Sequence, residues 1–143
     1  MGIKKQEFYE GAALHLLVRG GRVSNIRYRP PLFVLNRKLC VLLKYSTKVQ
    51  SPWGFSFTAL EQRLLRGVAA EFPTAIGLIC AADGVVAINY DVYAGIAPAK
   101  ETTVHIACYR NHGEHYDVRG PEGWLDKKIA PARWQRLLDE DWQ

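Results

Sequence analysis

Within ten residues, Lys44-Tyr45-Ser46-Thr47-Lys48-Val49-Gln50-Ser51-Pro52-Trp53 gathers two ammonium groups, three Ser/Thr hydroxyls and two aromatic rings. Lysine, serine and threonine are ordinary phosphate contacts, and tyrosine or tryptophan rings give bases a surface to stack on. A nucleotide or a single strand needs that mixture, so Lys44, Tyr45, Ser46, Lys48, Ser51 and Trp53 are candidate binding residues. The bland alternative is a polar hairpin loop with a core tryptophan, and Trp53 taken alone fits a core position better than a platform.

Arg27 and Arg29 alternate with Ile26 and Tyr28, so in a strand both arginines project from one face. With Arg19 and Arg22 they could follow a phosphate backbone. The larger pattern supports this. Residues 11–60 carry eight Lys/Arg and no Asp or Glu. Residues 1–72 hold twelve basic against four acidic side chains, and residues 73–143 hold seven against ten, so the overall +5 hides a polarity. A concentrated positive field attracts polyanions, which makes phosphate-bearing partners the leading expectation.

A second group of residues with chemical potential is Tyr109-Arg110-Asn111-His112-Gly113-Glu114-His115. Imidazole titrates near neutrality, so His112 and His115, with Arg110 beside them, could cleave a phosphodiester by general acid and base catalysis without a metal. A loop gives them no fixed mutual geometry, and a polar turn explains both. Cys108, His112 and His115 lack the fourth ligand and the spacing of a zinc site. The carboxylates Asp83, Asp91, Glu101 and Asp117 are scattered over turns and strand ends. No P-loop, G-x-G-x-x-G, G-x-S-x-G or H-E-x-x-H occurs. The expectation is therefore no catalytic residue, no metal and no cofactor.

The elements that must position these residues are legible from periodicity and punctuation. A helix is expected over residues 5–18, with Phe8, Ala12, Leu16 and Tyr9, Ala13, Leu17 on its apolar side and Gly20-Gly21 ending it. Residues 23–28 and 31–35 read as strands, with Arg29-Pro30-Pro31 at an edge or bend. Leu39-Cys40-Val41-Leu42-Leu43 is apolar throughout, as in a strand buried on both faces. Trp53-Gly54-Phe55-Ser56-Phe57 alternates large and small residues, so its aromatic face should point inward.

Thr58-Ala59-Leu60-Glu61 is a capping box that opens a helix running to about Glu71. Asp83-Gly84 between residues 75–82 and 85–90 predicts a type I′ hairpin, with Asp83 accounted for by its turn. Strands follow at 103–109 and 115–119, and Gly120-Pro121-Glu122-Gly123 has turn chemistry. A last helix is expected from Pro131 over 132–138, followed by Asp139-Glu140-Asp141, whose charge is wrong for a helix C-terminus.

At 143 residues and 48% apolar, the chain suits a single α+β domain. Its mixed or antiparallel central sheet would be flanked by about three helices. Cys40, Cys80 and Cys108 sit in apolar runs and read as reduced core residues. With no apolar leader and no run of roughly 18 to 20 apolar residues, a cytoplasmic protein without a membrane partner is expected.

The order helix, three strands, helix, strand over residues 5–82 resembles the core of the restriction-endonuclease-like, or PD-(D/E)XK, nucleases, on element order alone. In that family an acid on the second strand and an acid-x-Lys on the third hold a metal that activates water, often with a helix glutamate. The resemblance makes Glu10 the helix acid and Lys44 the lysine. It also puts Leu42 where the motif's acid belongs, and Asn36 is the nearest polar group to the other acid position. Neither supplies the carboxylate oxygens Mg²⁺ requires, so the resemblance implies a degenerate nuclease core with its metal site dismantled.

Taken together, these features predict a domain that binds nucleic acid or another phosphate-rich ligand through its N-terminal half. A compact pocket for a small cyclic nucleotide, metal-independent cleavage by His112 and His115, and a protein-interaction module are the alternatives. In the last, the basic face would meet an acidic partner or another copy of the chain.

Overall fold

The structure is a computed structural model that describes residues 2–139. In chain order the elements are α1 (Lys5–Arg19), β1 (Ile26–Arg29), β2 (Leu32–Leu35), β3 (Leu39–Ser46), β4 (Trp53–Phe57), α2 (Ala59–Ala69) and β5 (Thr74–Cys80). They continue with β6 (Gly84–Asn89), α3 (Tyr90–Ile96), β7 (Val104–Tyr109), β8 (Asp117–Gly120), β9 (Gly123–Trp124) and a 3₁₀ turn at Pro131–Arg133. This is the α+β domain that the composition and periodicity predict.

Two sheets organise the chain. The first has the order β1-β2-β3-β5-β6, in which β3 pairs antiparallel with β2 and parallel with β5. The second is antiparallel, in the order β4-β7-β8-β9. Every residue of β5 is buried, and so are the first five of β3. Both strands are apolar on both faces because each face is covered. One face packs Val41, Leu43, Ala75 and Ile79 against Ala13 and Leu17 of α1 and against Trp134 and Leu137. The other packs Leu42, Ile76 and Leu78 against Phe55, Phe57 and Ile106 of the second sheet, Leu65 of α2 and Tyr93 of α3. Cys40, Cys80 and Cys108 are buried free thiols. Among the described residues no helix is long and apolar enough to cross a membrane.

Four local expectations need correction. In α1 the buried positions are Glu10, Ala13 and Leu17, whereas Phe8 is 64% exposed and Ala12 also faces solvent. Helix and sheet meet through the small Ala13, whose carbonyl accepts the Trp134 indole N–H at 2.9 Å. The β5–β6 hairpin exists, but Cys80 pairs with Gly84 and only Ala81 of the connecting residues takes a positive φ, of 49°. It is therefore not a type I′ turn. Gly84 is required instead by a close approach, since a Cβ there would lie 2.6 Å from the Tyr116 hydroxyl.

Tyr90 does not extend β6 but begins α3, because the Asn89 side chain caps the Val92 N–H at 2.9 Å. The C-terminal segment is not an α-helix. Arg136 N–H donates to the Arg133 carbonyl at 3.1 Å and Leu137 N–H to that of Trp134 at 3.2 Å, both i to i+3. That spacing sets Trp134 and Leu137, both 0% exposed, on the same side against the sheet. Asp139 meets Arg136 at 3.1 Å and Arg22 at 3.6 Å; Glu140 and Asp141 lie outside the described residues.

The Trp134 seat has no spare volume. A Cβ on Gly77 would lie 2.7 Å from Leu43 Cδ2 and 2.9 Å from Trp134 Cζ3. Gly77→Ala is accordingly expected to destabilise the fold by about 1–3 kcal/mol, the usual range for overpacking, as read by urea unfolding.

Candidate nucleic-acid interface

In the segment from Lys44 to Trp53 both ends are held by the protein's own contacts, while residues 47–50 are exposed. The Lys44 ammonium pairs with Glu61 at 2.8 and 3.0 Å and lies 5.4 Å from the centre of the Phe57 ring. Tyr45 stacks on Tyr9 with centroids 5.1 Å apart. Ser51 Oγ accepts the Arg110 N–H at 3.1 Å, while Ser46 Oγ lies 3.5 Å from the Lys48 N–H. Trp53, 2% exposed, donates its indole N–H to the Lys48 carbonyl at 2.8 Å. It is a core residue and offers no face to a base. Lys48 remains exposed in the loop.

The residues that the nuclease resemblance aligns do not converge. Glu10 is on α1 and accepts from Gln6 at 2.9 Å, on the face of the first sheet opposite Lys44. Asn36 is a loop clamp. Its Oδ1 accepts from the Ser24 N–H at 2.7 Å and the Asn25 N–H at 3.1 Å, and its Nδ2 donates to the Arg22 carbonyl at 2.8 Å. Among the described residues no three His, Cys, Asp or Glu side chains are grouped to share a metal ion.

In the second constellation, Arg110 donates to Asp83 at 2.9 Å and lies 5.1 Å over the Tyr116 ring; Tyr116 also donates to Asp83, at 2.5 Å. Asp83 is thus more than a turn residue, because it ties the β5–β6 hairpin to the second sheet. Burial and this hydrogen bond push the Tyr116 hydroxyl well above its ordinary value, and the bond to Asp83 raises Arg110 despite partial desolvation. His112 is exposed in the loop, and His115 stands outside this cluster.

The basic residues of the acid-free run are spread over several elements. Arg27 and Arg29 project from the exposed edge strand β1, beside the Pro30-Pro31 turn, where charge and proline also discourage strand addition. Arg19 and Arg22 lie at the end of α1. Lys38 precedes β3 and Lys48 follows it, at opposite ends of a strand roughly 25 Å long at about 3.3 Å per residue.

Cations do converge where the sequence is acid-rich. A cleft of about 410 Å³ is lined by His115, Lys127, Lys128, Arg133 and Arg136, with Ile129, Ala130 and Ala132 as its apolar surface and no carboxylate among the described lining residues. One wall is fixed by the Tyr116–Ile129 bridge, with N–H···O distances of 2.9 and 2.8 Å. The other is the segment anchored by Trp134, in which Arg133 and Arg136 are three residues apart and share a side. Lys128 reaches Glu114 at 3.5 Å and Asp117 at 3.6 Å, and Arg136 is held by Asp139. Among the described residues neither Lys127 nor His115 has an acidic partner. Of the cleft residues only His115 stood out in the sequence. The signals for the others, Lys127-Lys128 and the i, i+3 pair Arg133 and Arg136, are submerged in a half whose net charge is negative.

No family model matches the chain, and no curated protein or solved structure is significantly similar to it.

Lys44 has become a structural residue, so reversing its charge would set two carboxylates together and destabilise the domain. Burial opposes ionisation of Glu61, but hydrogen bonds from Lys44 and the Thr58 N–H outweigh it and hold the carboxyl below its ordinary value. A depressed folded-state pKa contributes stability that is complete above the unfolded value, about 4.3, and is lost as pH falls through the folded one. Glu61→Gln keeps the capping-box geometry and removes the charge. It is expected to lower stability at pH 7 by about 1–2 kcal/mol and to flatten the acid limb below pH ~4.3, as measured by urea unfolding across pH.

Proposed function

We propose that the protein binds a phosphate-rich ligand, nucleic acid in preference to a small nucleotide, through the cleft between His115 and the segment carrying Lys127, Lys128, Arg133 and Arg136. The observation that carries this reading is the cleft's lining, four Lys/Arg side chains and a histidine with no carboxylate among the described lining residues. Guanidinium groups match phosphate oxygens bidentately, and the lysines add point charge. The cleft is open at the surface, as a polymer requires. The weak contacts of Lys128 with its acids, at 3.5 and 3.6 Å, are readily exchanged for a phosphate. The reading keeps the ligand class that the charge of the chain suggests and moves the site from the N-terminal half to the C-terminal one.

No cleavage chemistry is assigned to the cleft. His115 lacks a second acid or base at hydrogen-bond distance among the described residues, and Arg110 is occupied with Asp83.

Binding of this kind releases counterions and weakens as salt rises. In a fluorescence-anisotropy titration with labelled single-stranded DNA and RNA, Lys127→Glu/Arg136→Glu is expected to bind more weakly. Its slope of log affinity against log salt should fall by about 2. Unchanged affinity in the folded double variant would overturn the assignment. Absence of nucleic-acid binding at low salt, with retention of an acidic polypeptide such as polyglutamate, would transfer the cleft to protein recognition.

A further inference from the structure

The second sheet has one face in the core and one in water. Its inner positions are Trp53, Phe55, Phe57, Ile106, Cys108 and Val118, all buried. The outer positions are fixed by the same registers: Ser56 opposite His105, Gly54 opposite Ala107, Ala107 opposite Arg119, and Arg119 opposite Trp124. Tyr109 opposes Asp117 on that outer face.

Trp124 is 50% exposed, whereas Trp53 and Trp134 are 2% and 0% exposed. Its ring centroid lies 5.0 Å from that of Tyr109, and the Arg119 guanidinium stands 5.6 Å over it. Half of the Trp124 side chain is thus left in contact with solvent. Beside the rings the face is low. Gly54 has no side chain, nothing lies within 4 Å of where its Cβ would be, and Ala107 contributes a single methyl. The result is a shallow floor with two aromatic rings and a cation at one side.

The face meets the basic cleft at one carboxylate contact. Asp117, across from Tyr109, is 3.6 Å from Lys128, and Lys128 lines the cleft. Rings that can stack bases therefore adjoin cations that can hold phosphates, the combination by which proteins bind single strands without reading their sequence. A duplex would offer the phosphates but keep its bases stacked on each other.

We infer that the outer face of β4-β7-β8-β9 is a base-stacking platform for single-stranded nucleic acid. One base stacks on the Trp124 ring in place of the Arg119 guanidinium that now stands over it, with Tyr109 alongside, and the strand's phosphates continue past Lys128 into the cleft. The inference rests on the phosphate-binding reading and specifies the form of its ligand.

The test compares three probes of equal length, an oligothymidine strand, the same strand with abasic sites and a duplex, against wild type, Trp124→Ala, Tyr109→Ala and Lys127→Glu/Arg136→Glu. Circular dichroism confirms the fold of each variant, and Tyr109→Ala serves if Trp124→Ala fails to fold. Wild type is expected to bind the oligothymidine more tightly than the abasic strand or the duplex. Trp124→Ala should lose about tenfold on the oligothymidine, the effect of one lost stack, and nothing on the abasic strand. The charge variant should lose affinity for all three probes.

Equal binding of oligothymidine by wild type and the aromatic variants, or equal affinity of wild type for single strand and duplex, would overturn the platform. If the charge variant is still impaired in that case, the cleft reading survives without it. Failure of wild type to bind any probe would remove both.

Discussion

Burial of the first sheet on both faces is the constraint from which the rest of the architecture follows. β3 and β5 pair in parallel, and neither can leave an apolar face in water, so two layers must cover them. On one side α1 and the C-terminal segment provide the cover, fitted together by Trp134, which fills the space that Gly77 leaves and bonds to the carbonyl of Ala13. On the other side the cover is a second sheet, assisted by α2 and α3. A sheet used as a cover has a second face. Since the chain supplies nothing to close it among the described residues, Trp124, Tyr109 and Arg119 remain in water.

Polar side chains at the joints hold the layers in place. Gln62 is buried and donates to the carbonyls of Phe57 and Thr102 at 3.0 and 2.8 Å while accepting the Lys100 N–H at 2.8 Å, which pins the approach to β7 against α2. Lys44 and Glu61 tie the first sheet to α2, and Asp83, Arg110 and Tyr116 tie the β5–β6 hairpin to the second sheet. Groups of this kind look functional in a sequence because they are the types that also serve catalysis and binding. In the folded protein their hydrogen-bonding capacity is already taken up, and leaving one of them without its partner would expose the remainder to an unsatisfied burial.

Much of the fold was legible because several short segments carry their own physical instructions. Trp53-Gly54-Phe55-Ser56-Phe57 can bury its rings together only as a strand, and it does. Thr58 and Glu61 satisfy each other's backbone donors at 3.1 and 3.0 Å, as the capping box requires. The structure departs from the local signal where tertiary packing overrides it. Asp83-Gly84 favours a two-residue turn, yet the Tyr116 hydroxyl approaching Gly84 and bonding Asp83 gives both residues another reason to be there. At 131–138 a helical spacing is also satisfied by tight turns once Trp134 and Leu137 must both face the sheet. α3 went unseen because its capping residue, Asn89, closes a strand and opens a helix at the same point.

By itself the sequence determined the fold class, the buried strand β3, the inward aromatic face of β4 and an overall positive charge, because each depends on neighbours in the chain or on composition alone. Only the tertiary structure decided which charges remain available and which of them stand together. The eight basic residues of the acid-free run are distributed over an edge strand, a helix end and both ends of β3, and one is neutralised by Glu61. The cleft instead joins His115 to cations 12 to 21 residues later in the chain. Electrostatic attraction depends on distance in space and on the partner already present. Sequence separation reports neither until a chain reversal and an anchor such as Trp134 have brought the residues side by side.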